Sequence, residues 1–352
     1  MTRMRTTALL AATGLIVYGV ATAPAAAATF TCFGETPTKL GTDAGEVLRG
    51  TDRRDVIAAR DGDDTIVGLA GDDLLCGGPG DDVMRGGDGA DALSGWSGFD
   101  LIVGGDGDDT LNGNHNGDTL KGRDGDDALE GGSEDTQDDA LFGADGDDVL
   151  VDSGGEDSDD YVWGGAGNDR LLPGGGRDYL LGGAGDDALD GGPARDVADY
   201  GKCADCGPVD VNLQTGVATE GGPDHVVGTD SLVRIEHVVG TAFDDVFVGD
   251  DKDNMFSDVS CCEAGGDDRV DGAGGDDLLG SGAGNDVVAG GPGEDVVLGG
   301  DGDDDVAGDA GNDVLYGQNG DDALDGGADS DLLDGAAGID VCTNGEATQD
   351  CE

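Results

Sequence analysis

A nine-residue pattern, an acidic glycine turn followed by three residues with an apolar centre, recurs 27 times along this chain. Consecutive copies read Gly68-Leu-Ala-Gly-Asp-Asp-Leu-Leu-Cys76, Gly77-Gly-Pro-Gly-Asp-Asp-Val-Met-Arg85 and Gly86-Gly-Asp-Gly-Ala-Asp-Ala-Leu-Ser94. The register is continuous over residues 50–199 and 240–343, with enlarged copies at 131–142, 152–163 and 258–271. Position six is Asp in 26 copies, Asn254 being the exception, and position eight is Ile, Leu, Val, Met or Phe in 25. The two exceptions at position eight, Ala198 and Cys342, each close a run, where a stacked core is expected to end. A fixed period repeated this often is the mark of a repeat architecture, so fold is constrained before any single residue is weighed.

Composition alone would suggest something else. Of 352 residues 72 are Gly, aromatics make up 4%, and the formal net charge is -62. Few large apolar groups and one-sided charge are the usual signature of a disordered chain. Such a chain has no reason to hold an apolar side chain at every ninth position through an acidic background. The charge does exclude partners: nucleic acid and anionic membrane surfaces would be repelled, and what the surface demands is cations.

Two strict positions imply two tasks. In a three-residue strand the side chains at positions seven and nine point outward and that at position eight points inward. Nine residues cannot close a coil, whereas two copies make one turn with two strands and two bends. The pattern therefore predicts an all-β parallel solenoid, two sheets enclosing a thin core, with glycine supplying the positive φ that tight bends require. Parallel stacking places the position-six carboxylates of alternate copies about 4.8 Å apart. A bare ladder of that kind repels itself. Turns rich in carboxylate and carbonyl oxygen suit a hard cation of irregular geometry, Ca2+ rather than Mg2+, and lack the His and Cys that zinc prefers. The predicted metal ligands are Asp55, Asp64, Asp73, Asp82, Asp91, Asp100, Asp109, Asp118, Asp127, Asp139, Asp148, Asp160, Asp169, Asp178, Asp187 and Asp196 in the first block. In the second they are Asp245, Asp268, Asp277, Asp286, Asp295, Asp304, Asp313, Asp322, Asp331 and Asp340.

The copies at 77–85, 104–112, 164–172, 182–190 and 299–307 nearly match G-G-x-G-x-D-x-(large apolar)-x. In this the chain resembles the RTX, or hemolysin-type, calcium-binding repeat proteins. The resemblance implies a right-handed parallel β-roll in two stacked blocks, with several Ca2+ ions held between successive turns by position-six Asp and turn carbonyls. RTX toxins and proteases usually add a large catalytic or pore-forming domain and a C-terminal secretion signal, which this sequence does not show. Calcium binding and fold are therefore the expectations, and toxin or protease activity is not.

The remaining segments frame the repeat. Residues 1–28 read as a secretory leader, with Arg3 and Arg5 before an apolar run and Ala26-Ala-Ala28 as a cleavage site. Residues 29–49 form an N-terminal cap containing a degenerate copy with Glu46 and Leu48, blocks span 50–199 and 240–343, a spacer spans 200–239, and 344–352 is a tail. No later segment reaches membrane-spanning length. The spacer, too short for an enzyme, is expected as a hairpin packed on the roll. Eight cysteines in an exported chain suggest disulfides. Cys32 with Cys76 and Cys342 with Cys351 are candidate pairs, and Cys203 and Cys206 with Cys261 and Cys262 form either disulfides or a zinc site. One outward patch gathers Phe142, Tyr161, Trp163, Tyr179 and Leu181, either covered by the spacer or a neighbouring chain or free to meet a protein or glycan. No catalytic motif is present; His115, His225 and His237 are scattered. A secreted, non-catalytic calcium scaffold is the primary expectation. A cell-surface adhesin or surface-layer component, and a hydrolase with a site near the spacer and His237, are the alternatives.

Overall fold

The structure, a computed structural model, describes residues 30–133, 137–155, 158–202, 207–221, 228–258 and 265–351. The proposed leader and the cysteines at 203, 206, 261 and 262 lie outside them. The described part from Thr31 onward is one compact unit with no helix, its strands gathered into one sheet of 18 and another of 16. It is a parallel β-roll. Each copy pairs in parallel with the copy two further on, so Leu74, Leu75 and Cys76 stand beside Ala92, Leu93 and Ser94. Alternate copies thus build the same sheet, as the two-copy turn requires.

Position eight fills the space between the sheets. Ile57, Ile66, Leu75, Met84, Leu93, Ile102, Leu111 and Leu120 are fully buried, and one apolar cluster runs without a break from Leu48 to Leu333. The strands are longer than the three residues expected. Leu74–Pro79 is typical, with Gly78 and Pro79 pairing Trp96 and Ser97 after the register has skipped the position-one glycine. The cause is a corner at position two, where Gly78 has φ +118° and a Cβ would lie 2.0 Å from the Arg60 carbonyl. The chain turns there without losing its alignment to the next coil.

The spacer enters the sheet rather than packing over it. Val209–Asn212 and Val217–Glu220 form an antiparallel hairpin, and Val217–Glu220 pairs Thr229–Val233 in the same sense. Thr229–Val233 then runs parallel to Ala188–Asp190, and Val209–Asn212 parallel to Val246–Val248. The opposite sheet passes straight through, Val197–Asp199 pairing His237–Val239. Val211, Ala218 and Leu232 supply the core at this level. Ala198 is accordingly fully buried and paired with Val238, so the core does not end there as its small side chain suggested. It does end at Cys342, which is only partly buried.

Both ends are tied down. A disulfide joins Cys32 to Cys76 across 44 residues, and a second joins Cys342 to Cys351, as two of the candidate pairings had it. Glu46 and Leu48 belong to a true first coil, since Val47–Arg49 pairs Thr65, Ile66 and Val67. Because each coil touches mainly its neighbours, core damage should stay local. Leu120→Ala is expected to destabilise the calcium-loaded roll by about 2–5 kcal/mol, read by chemical denaturation, with hydrogen exchange increased in the adjoining coils and unchanged near Leu315.

Candidate metal centre

Position six precedes the inward residue by two, so its side chain also turns inward, at the edge of the roll. All the predicted aspartates from Asp64 to Asp196 are 3% exposed or less. One oxygen of each is committed. The N–H of Asp64 donates to Asp82 Oδ1 at 2.8 Å, and that of Asp82 to Asp100 Oδ1 at 2.8 Å. On the other edge the N–H of Asp73 donates to Asp91 Oδ1 at 2.7 Å, and that of Asp91 to Asp109 Oδ1 at 2.8 Å. Each carboxylate therefore clamps the coil before its own.

The second oxygen has no such role. Oδ2 of Asp64, Asp73, Asp82, Asp91, Asp100 and Asp109 is buried without a hydrogen-bond partner, as are those of Asp268, Asp277, Asp286, Asp295, Asp304 and Asp313. Buried polar atoms are almost always partnered, so a whole row of exceptions needs a chemical reason. The position-one glycines lie directly against this row. A Cβ on Gly68 would sit 2.3 Å from Asp73 Oδ2 and 2.6 Å from the Gly86 carbonyl, and one on Gly164 would meet Asp169 Oδ2 and the Gly182 carbonyl at 2.2 and 2.6 Å. Glycine there keeps carboxylate and carbonyl oxygens of successive coils facing one another. An anionic oxygen row edged by carbonyls fits a hard divalent cation.

Burial acts strongly on these acids. It pushes Asp82, Asp109 and Asp127 up to about 7 and Asp187 and Asp268 up to about 8, against the lowering effect of the backbone N–H each accepts. Repulsion between neighbouring carboxylates adds to the rise.

Two predicted ligands stand apart. Asp55 Oδ2 accepts the Thr51 N–H at 2.7 Å and the Thr51 hydroxyl at 2.8 Å. Asp245 accepts the Thr241 N–H on Oδ2 at 2.5 Å and the Thr241 hydroxyl on Oδ1 at 2.8 Å. At the opening copy of each block the protein thus fills the oxygen that is open elsewhere. The exceptional Asn254 is closed likewise, its Oδ1 accepting the Asp250 N–H at 2.7 Å.

The ladder also recruits residues that the nine-residue count passed over. The Asp187 N–H donates to Asp230 Oδ1 at 3.0 Å, and that of Asp196 to Glu236 Oε2 at 3.4 Å, extending both edges into the spacer. Glu46 donates its N–H to Asp64 at one end, and Glu346 accepts the Asp331 N–H at the other. Asp230-Ser-Leu232 and Glu236-His-Val238 keep the acid-x-apolar triplet of positions six to eight, which was the available signal. A second, exposed ladder runs at position five in the opposite sense, Asp81 donating its N–H to Asp63 Oδ1 at 3.1 Å and Phe99 donating to Asp81 Oδ1 at 2.9 Å.

The outward aromatic residues meet as the register predicts. Tyr161 and Tyr179 stack with centroids 5.7 Å apart, and Phe142 meets Trp163 edge-on at 6.2 Å. Lys121 lies over Phe142, and Lys202 over both tyrosines. Leu181 is buried and contributes no outer surface. His237, lowered by burial, has Nε2 3.0 Å from the Ser257 hydroxyl, beside a cleft of about 380 Å³ that Glu236, Arg195 and Asp253 also line.

The sequence profile described as the RTX calcium-binding nonapeptide repeat (4 copies) matches residues 40–75, 72–102, 103–137, 135–180, 174–198, 280–315 and 308–342. The chain belongs to the RTX calcium-binding repeat family. No curated protein matches it. Among solved structures, the extracellular lipase LipA from Serratia marcescens is similar at 17% identity with a TM-score of 0.18, over 69% of this chain and 37% of the lipase. The chain thus spans little more than a third of that protein's length. The profile leaves residues 199–279 unmatched, yet the ladder bonds reach Asp230 and Glu236 there and resume from Asp245 to Asp268.

The raised acids give a sign-definite pH dependence. An Asp ionising near 3.9 when unfolded and near 7 in the metal-free roll binds its proton more tightly when folded. Its contribution is full below pH 4 and lost as pH rises through about 6–8. In chelator, circular dichroism should show more β structure at pH 4.5 than at pH 8. In calcium the order should weaken or reverse, with proton release on binding seen as a buffer-dependent calorimetric heat.

Proposed function

We propose that the protein is an exported scaffold without catalytic activity of its own, whose inner carboxylate ladders take up calcium and thereby set the roll. The row of buried, unpartnered Oδ2 atoms carries this reading. Asp64 to Asp109 and Asp268 to Asp313 would hold the ions through Oδ2, with position-one carbonyls such as Gly86 and Gly182 facing them. When bound, calcium supplies the positive charge that allows these acids to stay ionised inside the roll. The protein's own part is geometric: Oδ1 fixes each coil on the one before it, and glycine leaves room for oxygen. Metal binding and folding then become one equilibrium.

Export is supported by the leader-like residues 1–28 and by the two disulfides, which persist in oxidising compartments. Extracellular calcium modules often bind at about 0.1–1 mM. The chain should be largely unfolded in chelator at pH 7.5 and β-rich at millimolar calcium, and circular dichroism indifferent to chelator would refute the coupling. Asp109→Ala should raise the calcium midpoint of that transition several-fold, whereas Asp52→Ala, an exposed residue off the ladder, should leave it unchanged.

A second reading, surface attachment or adhesion, is favoured by the aromatic patch. Trp163 is 43% exposed, yet held edge-on by Phe142. Rigid aromatic faces with cations beside them suit a protein or glycan partner. Trp163→Ala should abolish retention of the calcium-loaded protein on cells that produce it, and unchanged retention would remove this reading while leaving calcium binding intact.

A further inference from the structure

Two enlarged copies, residues 131–142 and 152–163, stack directly on one another, Ala140 pairing Tyr161 and Phe142 pairing Trp163. The second begins with Asp152, at the position where most copies have glycine. This alters the ladder's chemistry at the level of Gly131. On Gly143 a Cβ would meet the ordinary pair, Asp148 Oδ2 at 2.1 Å and the Gly164 carbonyl at 2.5 Å. On Gly131 it would meet Asp139 Oδ2 at 2.3 Å and Asp152 Oδ1 at 2.8 Å. A carboxylate oxygen of Asp152 here lies nearer the glycine than any carbonyl does.

The added side chain is held in place. Asp152 Oδ1 accepts the Gly132 N–H at 2.7 Å, and Oδ2 accepts the Gly154 N–H at 2.7 Å. It stands between successive members of one ladder, Asp139 and Asp160. One oxygen from each of the three lies within 4.8 Å of the others. The three residues are 2%, 3% and 1% exposed, so solvent does not screen them. Asp139 Oδ2 is buried, has no partner and faces this space. Ser158, fully buried, places its hydroxyl 3.5 Å from Asp160 Oδ2.

Three carboxylates in one dry space require more positive charge than a regular level of the ladder, and all the donors are oxygen. We infer that Asp139, Asp152 and Asp160 form a discrete site for a single hard divalent cation of the calcium class, filled before the rest of the ladder. Affinity in oxygen-ligand sites rises with the number of anionic ligands, and this site has one more carboxylate than a regular level of the ladder. The inference rests on the ladder reading for its rank order, not for its existence. Functionally, the first ion would order the middle of the first block, from which coils stack in both directions. Trp163 lies three residues from Asp160, and in a Trp96→Phe background it is the sole tryptophan, so the emission below is read in that background.

The test is a calcium titration of the mature chain, wild type against Asp152→Gly and Asp152→Asn, by calorimetry with tryptophan emission followed in parallel. Glycine is what other copies carry at this position, and asparagine keeps the shape while removing a charge. Wild type should bind one equivalent at least about tenfold more tightly than the bulk, with the Trp163 emission change completed in that phase. Both variants should lose this class, retain the bulk class and reach wild-type circular dichroism at saturating calcium. A first equivalent of unchanged affinity in both variants, or a wild type with no tight class, would overturn the site and leave the ladder standing. A tight class in wild type without any weaker class would overturn the ladder reading instead.

Discussion

The contact on which this molecule depends is the hydrogen bond from the backbone N–H of one position-six aspartate to Oδ1 of the aspartate one coil later, as from Asp64 to Asp82. It is not part of the β ladder, yet it recurs from coil to coil within each block and fixes where each bend lies over the last. Once Oδ1 is so engaged, Oδ2 must point toward the position-one residue of its own copy. A Cβ there would collide with it, at 2.1 Å for Gly77 and 2.0 Å for Gly95. Glycine at position one is thus a consequence of the acid at position six. So is the apolar residue at position eight, which shares the inward face because two residues along a strand restore the same side.

An interior built this way inverts the usual rule that charge stays outside. The roll keeps two kinds of carboxylate ladder, and their chemistry differs because their burial does. At position five, Asp63, Asp81 and Asp108 accept N–H groups from the following coil while standing in solvent, where their charge is hydrated. At position six the same residue type is enclosed, raised in pKa, and left with one oxygen unserved. Only the inner ladder demands a proton or a cation. The outer one accounts for much of the acidity without contributing to that demand.

Much of this was legible in the sequence because a strict period converts spacing into geometry. Leu75, Met84 and Leu93 had to face inward, and Asp73 and Asp91 had to stack, once two copies made one turn. What escaped were features that depend on contacts rather than count. The strands run past position nine because pairing resumes beyond the corner, as at Gly78 and Trp96, and no propensity signals that. Asp230 and Glu236 were hidden because the hairpin of residues 209–220 adds length between coils while leaving their stacking on Asp187 and Asp196 intact. The closure of Asp55 and Asp245 is due to Thr51 and Thr241, four residues earlier, whose hydroxyls matter only after the turn has folded. Leu181 occupied its predicted row but not its predicted exposure.

Those two threonines also bear on how a metal-dependent solenoid can begin. A roll with one enclosed apolar side chain per nine residues buries too little to offset the ordering of its own backbone, so its interior coils lean on whatever occupies the inner ladder. The opening coil of a block has a neighbour on one side that does not share the full pattern. Donors from within the chain, the Thr51 and Thr241 N–H and hydroxyl groups, satisfy the acid there without a cation. At the N-terminal opening the Arg54–Glu35 ion pair, with Nη2 2.8 Å from Oε1, holds this coil, and the Cys32–Cys76 disulfide ties the cap to the coil after it. The first level can therefore exist before any ion binds, and it offers the next coil a preformed edge. Folding of the remainder then needs propagation more than nucleation, which for a chain stacked coil upon coil is the less demanding of the two.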